Sequence, residues 1–437
     1  MPLPTEWVQH APPPRSLTGN DQWNVFLSYR SINRPWVLTL YDVLREQGYK
    51  VFLDQVVLKP GDRLIKGLQT ALETSQAGVL IWSKKTGDSD WVQREYETME
   101  TLASTKRGFV FIPVRLDTGE PPLFARNRIY VDFSSYPDGP NGGELMRLLY
   151  GLADKPMDDA AARFATDQTE IAQEESEKIG AAIANKDGDR LLALFRQNGL
   201  AWRTSSSLGC KAAQGLTDLG RDEDAIAVLT QLETQFPKAV RPKQLRALAL
   251  ARRGKPGDLA AAQEILGVLY ARGERDPETL GIYGRTWMDR YAQSGNAADL
   301  EQSRDYYAEA FKGAPDDYYT GINAAAKSVL IGGDDNLRRA AEYAAAVQQI
   351  VGTEPRAGDY WLTATIGEVF LIQKKYADAA RIYKAAVAMA RSKEGAHRST
   401  WTQACRLLVK LAPTAEERAA VRAAFSHLPD CAALGVA

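Results

Sequence analysis

The sequence predicts an α/β domain, a parallel sheet with helices on both faces, followed by an all-α helical-repeat domain. Two observations carry that reading. Up to about residue 153, short apolar runs alternate with helical stretches, the order expected of a parallel sheet covered on both faces. After about residue 158 the strand signal stops, and Ala, Leu, Glu, Gln and Arg dominate segments punctuated by Gly, Pro and Asp. A chain of 437 residues fits two or three domains. The expected boundaries are a disordered or extended segment over 1–20, the α/β domain over 21–153, a linker or connecting helix over 154–175, the repeat domain over 176–426 and a tail over 427–437.

In chain order, the apolar run at 23–28 reads as the first strand. Residues 35–47 read as a helix, with Trp36, Leu40, Val43 and Leu44 at helical spacing and Gly48 as its stop. Strands follow at 50–53, 77–82, 109–114 and 128–131, and helices at 64–72, 90–103 and 144–152. In such folds functional residues gather beyond the carboxyl ends of the strands. In the second half Gly367, Phe370, Ala379, Tyr383 and Ala386 sit at tetratricopeptide offsets, small and aromatic residues in turn. Ala225, Leu229 and Pro237 fit part of a second copy, and Tyr307, Ala310 and Pro315 part of a third whose register is broken by a loop at 294–296. Such repeats bury a core only by stacking, and their concave surface usually binds something.

Composition excludes several classes. The 54 basic and 55 acidic side chains leave a net charge of -1, which gives no electrostatic reason to expect nucleic acid as a partner. Cys210, Cys405 and Cys431 form no CxxC pair and are odd in number, so no disulfide framework is expected and they read as simple thiols. His10, His397 and His427 are dispersed, which leaves no metal site and no Cys-His nucleophile pair. No run of about 18 apolar residues suggests a membrane span, and residues 1–20 lack the apolar core of a signal peptide. The expected location is cytoplasmic.

The stretch 89–95 holds the strongest chemical signal. Trp91 and Glu95 lie four residues apart on an expected helix and so share a face. An aromatic surface beside a carboxylate suits a ligand with a flat ring and a developing positive charge. Asp90 and Gln93 have the spacing of a capping box, a structural feature. No Walker-type run appears and no GxGxxG follows a strand, so no dinucleotide cofactor site is expected.

Three motifs then resemble the TIR family, in its order and over about 130 residues. Residues 26–30 (FLSYR) resemble its first box, and 51–54 (VFLD) with 58–61 (LKPG) its second box and the loop that follows. Trp91 and Glu95 match its W-x-x-x-E helix. The third box, often Phe-Trp, is not clearly present, as in a divergent or bacterial-type member. The resemblance implies a flavodoxin-like domain that is either a scaffold or an NAD-cleaving enzyme; the enzymes keep a glutamate where Glu95 stands. Residues 278–285 and 317–325 resemble the central regulatory region of the apoptosis signal-regulating kinases, a tetratricopeptide-like array.

If the domain is such an enzyme, Glu95 is the catalytic carboxylate and NAD+ is a substrate in an open crevice, with no cofactor. Nicotinamide leaves NAD+ neutral and needs no proton, so one carboxylate suffices where ordinary glycosidases use two. Ser28, Tyr29 and Arg30 end the first strand, where a crevice opens; Arg30 suits a phosphate. Tyr29 either packs against a base or ribose or lies beneath the loop. Asp54 either caps the next loop or holds a ribose hydroxyl. Trp82 and Ser83 end the third strand on the same side, with Lys84 and Lys85 read as solvated surface. Lys59, Pro60, Gly61 and Asp62 form a turn, which in the family gates the pocket and contacts a neighbouring TIR domain. The expected function is an NAD+ glycohydrolase giving nicotinamide and ADP-ribose or a cyclic ADP-ribose, self-associating through its TIR domain. The array would control assembly and receive a protein or ligand trigger, in anti-phage defence or cell-death signalling. The alternatives are a non-catalytic scaffold and, more weakly, a host-directed effector acting by mimicry.

Overall fold

The run WNVFLS folds as β1 (Trp23–Ser28), and the sheet grows from it on both sides. The computed structural model describes residues 4–30, 33–53, 64–84, 90–119, 128–137, 139–389 and 394–435; the side chains at 64–66 and 90–94 also lie outside that description. Five parallel strands are ordered β2-β1-β3-β4-β5, with β2 Val51–Phe52, β3 Ser75–Trp82, β4 Val110–Arg115 and β5 Val131–Asp132. In this order the chain reverses its direction of winding between β1 and β3, and the crevice of a doubly wound sheet opens there. Both strands are buried on both faces, as central parallel strands require.

Helix α1 (Thr5–His10) precedes the sheet. Helices α2 (Arg34–Glu46), α3 (Leu64–Glu73), α4 (Asp90–Thr105) and α5 (Gly142–Leu152) connect or follow the strands. Strand parity sorts the sheet into two faces. Phe26, Phe52, Leu80 and Phe111 point to one and form a core with Leu68 and Leu72 of α3 and Tyr96 and Met99 of α4.

Several expectations are corrected. Of the expected segment 1–20, residues 4–20 are described, and they are neither disordered nor merely extended: α1 buries Trp7, whose ring meets Phe164 edge-on at 5.3 Å, and Arg15 donates to the carbonyls of Gly108 and Gln76. The fifth strand is shorter and later than 128–131, because Ile129 and Tyr130 face solvent. Helix α6 (Asp159–Ala184) runs through the expected boundary at 175, started by Asp158, whose carboxylate accepts from the Ala161 amide.

The helical region continues with α7 (Gly188–Gln197), α8 (Leu200–Thr204), α9 (Ser207–Asp218), α10 (Asp222–Gln235), α11 (Val240–Arg253) and α12 (Asp258–Ala271). These belong with the sheet to one compact unit, residues 1–274. Residues 275–437 form a second unit. It comprises α13 (Pro277–Ser294), α14 (Ala297–Gly313), α15 (Tyr318–Ile331), α16 (Asp334–Val351), α17 (Tyr360–Ile372), α18 (Tyr376–Met389), α19 (Glu394–Leu411) and α20 (Ala415–Ala423). Its helices pair as the offsets predict. A Cβ on Gly367 would lie 2.8 Å from the Tyr383 ring, and one on Gly284 2.9 Å from the Tyr307 ring, so each glycine makes room for an aromatic of the next helix. Cys405 and Cys431 are joined by a disulfide, which corrects the reading of both as thiols; Cys210 is buried and takes part in no disulfide. Leu428 is buried, and Trp401 Nε1 donates to the Pro429 carbonyl, so the expected tail is packed on the array at its start. Among the described residues no helix is long and apolar enough to cross a membrane.

Candidate active site

Ser28 is the last residue of β1 and has the parity of Phe26, so its side chain faces α3 and α4. On α4, Tyr96 and Met99 are buried in that core and fix how the helix is rotated. Glu95 is one turn before Met99, on the same side. Its carboxylate therefore meets the strand end, and Ser28 Oγ donates to Glu95 Oε2 at 2.5 Å. Ser28 is buried and Glu95 half-buried, so the carboxylate borders the crevice beyond the carboxyl ends of β1 and β3.

Other contacts hold α4 in place. Arg128 grips Glu100 with both forks, Nε at 2.6 Å and Nη2 at 2.9 Å. Burial pushes the Tyr96 phenol well above its usual range, and its hydrogen bond to Glu100 adds to that, so it stays a neutral donor. Among the described residues, no group of acidic, histidine and cysteine side chains is arranged to hold a metal ion.

The remaining candidates divide. Tyr29 and Arg30 follow β1 and are half-buried. The Tyr29 hydroxyl accepts from Arg34 Nη1 at 2.6 Å, so it is tied to the start of α2. Ser83, directly after β3, donates to Asn33 Oδ1 at 3.1 Å and links the two strand ends that frame the crevice. Trp82 is half-buried against the α3–α4 core, and its Nε1 has no hydrogen-bond partner among the described residues. Lys84 presents its backbone amide to the Asp117 carboxylate, which closes the loop after β3. The Trp91 backbone belongs to α4, but its side chain lies outside the described residues, as do Asp54 and the loop residues Lys59, Pro60, Gly61 and Asp62.

Sequence reasoning missed Asn33 and Arg34. Arg34 is 1% exposed, bonded to Tyr29 on one side and to Glu274 at 2.6 Å on the other. A signal was present: Arg34 lies on one stripe of α2 with the buried Val37, Leu38 and Tyr41. A cation on such a stripe calls for a buried acid.

Residues 25–149 match the family described as TIR domain, and residues 221–328 the family described as Tetratricopeptide Repeats-Sensor. The chain is similar to "Probable 2' cyclic ADP-D-ribose synthase BdTIR" of Brachypodium distachyon, 33% identical over 79 residues, which cover 18% of this chain and 35% of that protein. It is also similar to "Probable 2' cyclic ADP-D-ribose synthase TcpB" of Brucella melitensis biotype 1, 26% identical over 88 residues, 20% of this chain and 35% of that one. The chain thus spans about a third of the length of these curated relatives. Among solved structures, a thermophilic TPR protein of Thermus thermophilus aligns with 45% of this chain and 96% of its own, at 16% identity and a TM-score of 0.36. The chain therefore joins an α/β TIR domain to a tetratricopeptide-like array of the sensor type.

Proposed function

We propose that the TIR domain cleaves the bond between nicotinamide and ribose in NAD+, giving nicotinamide and ADP-ribose or a cyclic ADP-ribose. The observation that carries this reading is the Ser28–Glu95 pair at the crevice between β1 and β3. The names of the similar plant and Brucella proteins support the same class of chemistry. Nicotinamide departs neutral, so the demand on the protein is to stabilise positive charge growing on the ribose. Glu95 supplies that charge or holds the ribose hydroxyls, and Ser28 fixes the orientation of its carboxylate. Preorganised charge of this kind is worth about 3–4 kcal/mol, on the order of a hundredfold to a thousandfold in rate. Linear product forms when water attacks the anomeric carbon, cyclic product when a hydroxyl or ring nitrogen of the same molecule does. NAD+ enters as a substrate, with no resident cofactor.

The chain's repeat array is read as the control element, which sets self-association of the TIR domains in response to a protein or ligand. The setting that suits such an enzyme is anti-phage defence or cell-death signalling, where NAD+ loss halts the cell. The test is to incubate the full chain with NAD+ at concentrations that promote assembly and to follow nicotinamide and ADP-ribose species by chromatography. Nicotinamide release that disappears in Glu95→Ala is expected, and the ratio of linear to cyclic product is read in the same run. Assembled wild-type protein that turns over no faster than Glu95→Ala would sink the enzymatic reading.

A further inference from the structure

The second unit holds a cavity of about 450 Å³, within the size range of small-molecule sites. Its walls come chiefly from α13, α15, α17 and α19, the first helices of successive pairs. On each of these the lining residues recur at helical spacing: Arg285 and Asp289; Tyr319, Asn323 and Lys327; Trp361, Thr365 and Glu368; Arg398, Thr402 and Arg406. Four helices thus turn a polar stripe towards one hollow, where packing alone would favour apolar residues.

The charges are unequal. Four cations, Arg285, Lys327, Arg398 and Arg406, face two carboxylates, Asp289 and Glu368. Burial raises both acids and holds them closer to neutrality. Burial also lowers the Lys327 ammonium to about 8, so its charge is retained in most molecules at neutral pH. Much of this charge is already used. Lys327 donates to Asn323 at 3.0 Å, Arg285 lies 3.7 Å from Asp289, and Glu368 accepts from Gln403 at 3.0 Å. Arg406 differs: it is half-buried, burial disfavours its charge, and among the described residues it has no hydrogen bond or ion pair within 4.0 Å. A guanidinium carries five donors and does not deprotonate in proteins. The Asp289 carboxylate, which Arg285 also approaches, offsets part of the Arg406 charge, and among the described residues no group accepts a hydrogen bond from that guanidinium.

Two rings complete the lining. Trp361 is 52% exposed and Tyr319 50% exposed, large aromatic surfaces left open at the same cavity. The Tyr319 ring stands near-perpendicular to Tyr307, 6.1 Å away, which fixes its plane. Open flat faces beside unsatisfied donors suit a ligand that is both planar and anionic.

We propose that this cavity binds a small organic anion carrying a planar ring, with the anionic group on Arg406 and the ring against Trp361 and Tyr319. The anionic group is a phosphate or a carboxylate, chemistry that the same guanidinium serves. Nothing in this inference depends on NAD+ cleavage by the TIR domain.

The test is calorimetric titration of the full chain with four probes: adenosine 5′-monophosphate, indole-3-acetate, adenosine and inorganic phosphate. Saturable binding of one of the two charged ring compounds is expected, about tenfold or more tighter than adenosine or phosphate alone. Which of the two binds tells phosphate from carboxylate. Arg406→Met should weaken that binding by about tenfold to a hundredfold. Trp361→Ala, at an exposed position where folding is not at stake, should weaken it severalfold, with circular dichroism unchanged in both. The proposal is overturned if neither charged ring compound binds, if phosphate alone binds as tightly, or if binding survives both substitutions and so lies elsewhere.

Discussion

The Ser28 hydroxyl gives its hydrogen to Glu95, and the loss of that one bond is a measurable event. Hydrogen bonds to a charged group contribute about 1.5–3 kcal/mol. If Glu95 acts on the ribose in the transition state, Ser28→Ala should lower kcat about tenfold to a hundredfold while KM moves little. Steady-state nicotinamide release checks this. A rise in KM with kcat unchanged would mean that Ser28 binds substrate and does not position the carboxylate. Both residues were legible in the sequence, each for its own reason: one ends a strand, the other lies on a helix face one turn from Trp91. Their bond was not legible, because 67 residues separate them and the rotation of α4 is set by core packing. Tyr29 was read as packing against a base or ribose or lying beneath the loop, and Ser83 as a strand end on the crevice side. What the sequence did not show is that their hydroxyls bond to Arg34 and Asn33, protein groups on the helix and loop that follow β1.

That rotation of α4 is decided at β3. A Cβ added to Gly78 would fall 2.8 Å from Met99 Sδ and 3.2 Å from the Phe109 ring. Met99 is fully buried and has little room to yield. Gly78→Ala should therefore shift α4 outward and destabilise the fold by about 1–3 kcal/mol, read as a lower urea midpoint. The same shift withdraws Glu95 from Ser28, so NAD+ turnover at low temperature, where the variant is folded, should fall as well. Strand existence was legible from apolar runs, but strand ends were not. β3 starts earlier than expected because Ser75 and Gln76 find polar partners, Ser75 the Ala71 carbonyl and Gln76 the Ser16 carbonyl. In the second unit the cysteines were misread because spacing cannot show that α19 and the chain end meet. Thiol titration in denaturant without reductant should find one reactive cysteine per chain, Cys210, rising to three after reduction. Three before reduction would mean that the disulfide does not form in solution.

Within the first unit the sheet domain is fastened to the helices that follow it by buried polar groups. Asn141 donates to the Ala201 carbonyl at 2.9 Å and to Ser207 Oγ at 3.1 Å, and Arg34 pairs with Glu274. Repeat offsets made the array legible, but this docking was not, since Arg34 and Glu274 are 240 residues apart. Asp42 of α2 also lies at this junction. Burial pushes its carboxyl from 3.8 to about 6, with Lys238 and Lys243 pulling the other way. Such a group binds its proton more tightly folded than unfolded, so its contribution falls as pH rises through this window. Asp42→Asn should be more stable than wild type at pH 7, on the order of 2 kcal/mol, with the gain vanishing near pH 4; thermal midpoints at the two pH values decide it.

The Arg34–Glu274 pair bears most directly on function, because the same guanidinium holds Tyr29 beside the crevice. Glu274→Ala leaves a buried cation without its acid, which costs about 3–5 kcal/mol. A lower thermal midpoint and faster hydrogen exchange at Tyr29 and Arg30 should follow. Replacing both partners, Arg34→Met with Glu274→Leu, removes the desolvation cost together with the attraction and should restore most of the midpoint. It does not restore a donor to Tyr29, so exchange there should stay fast. A double variant with a wild-type midpoint and altered NAD+ turnover would show that the array acts on the crevice through Arg34. Wild-type turnover in that variant would confine the pair to holding the first unit together.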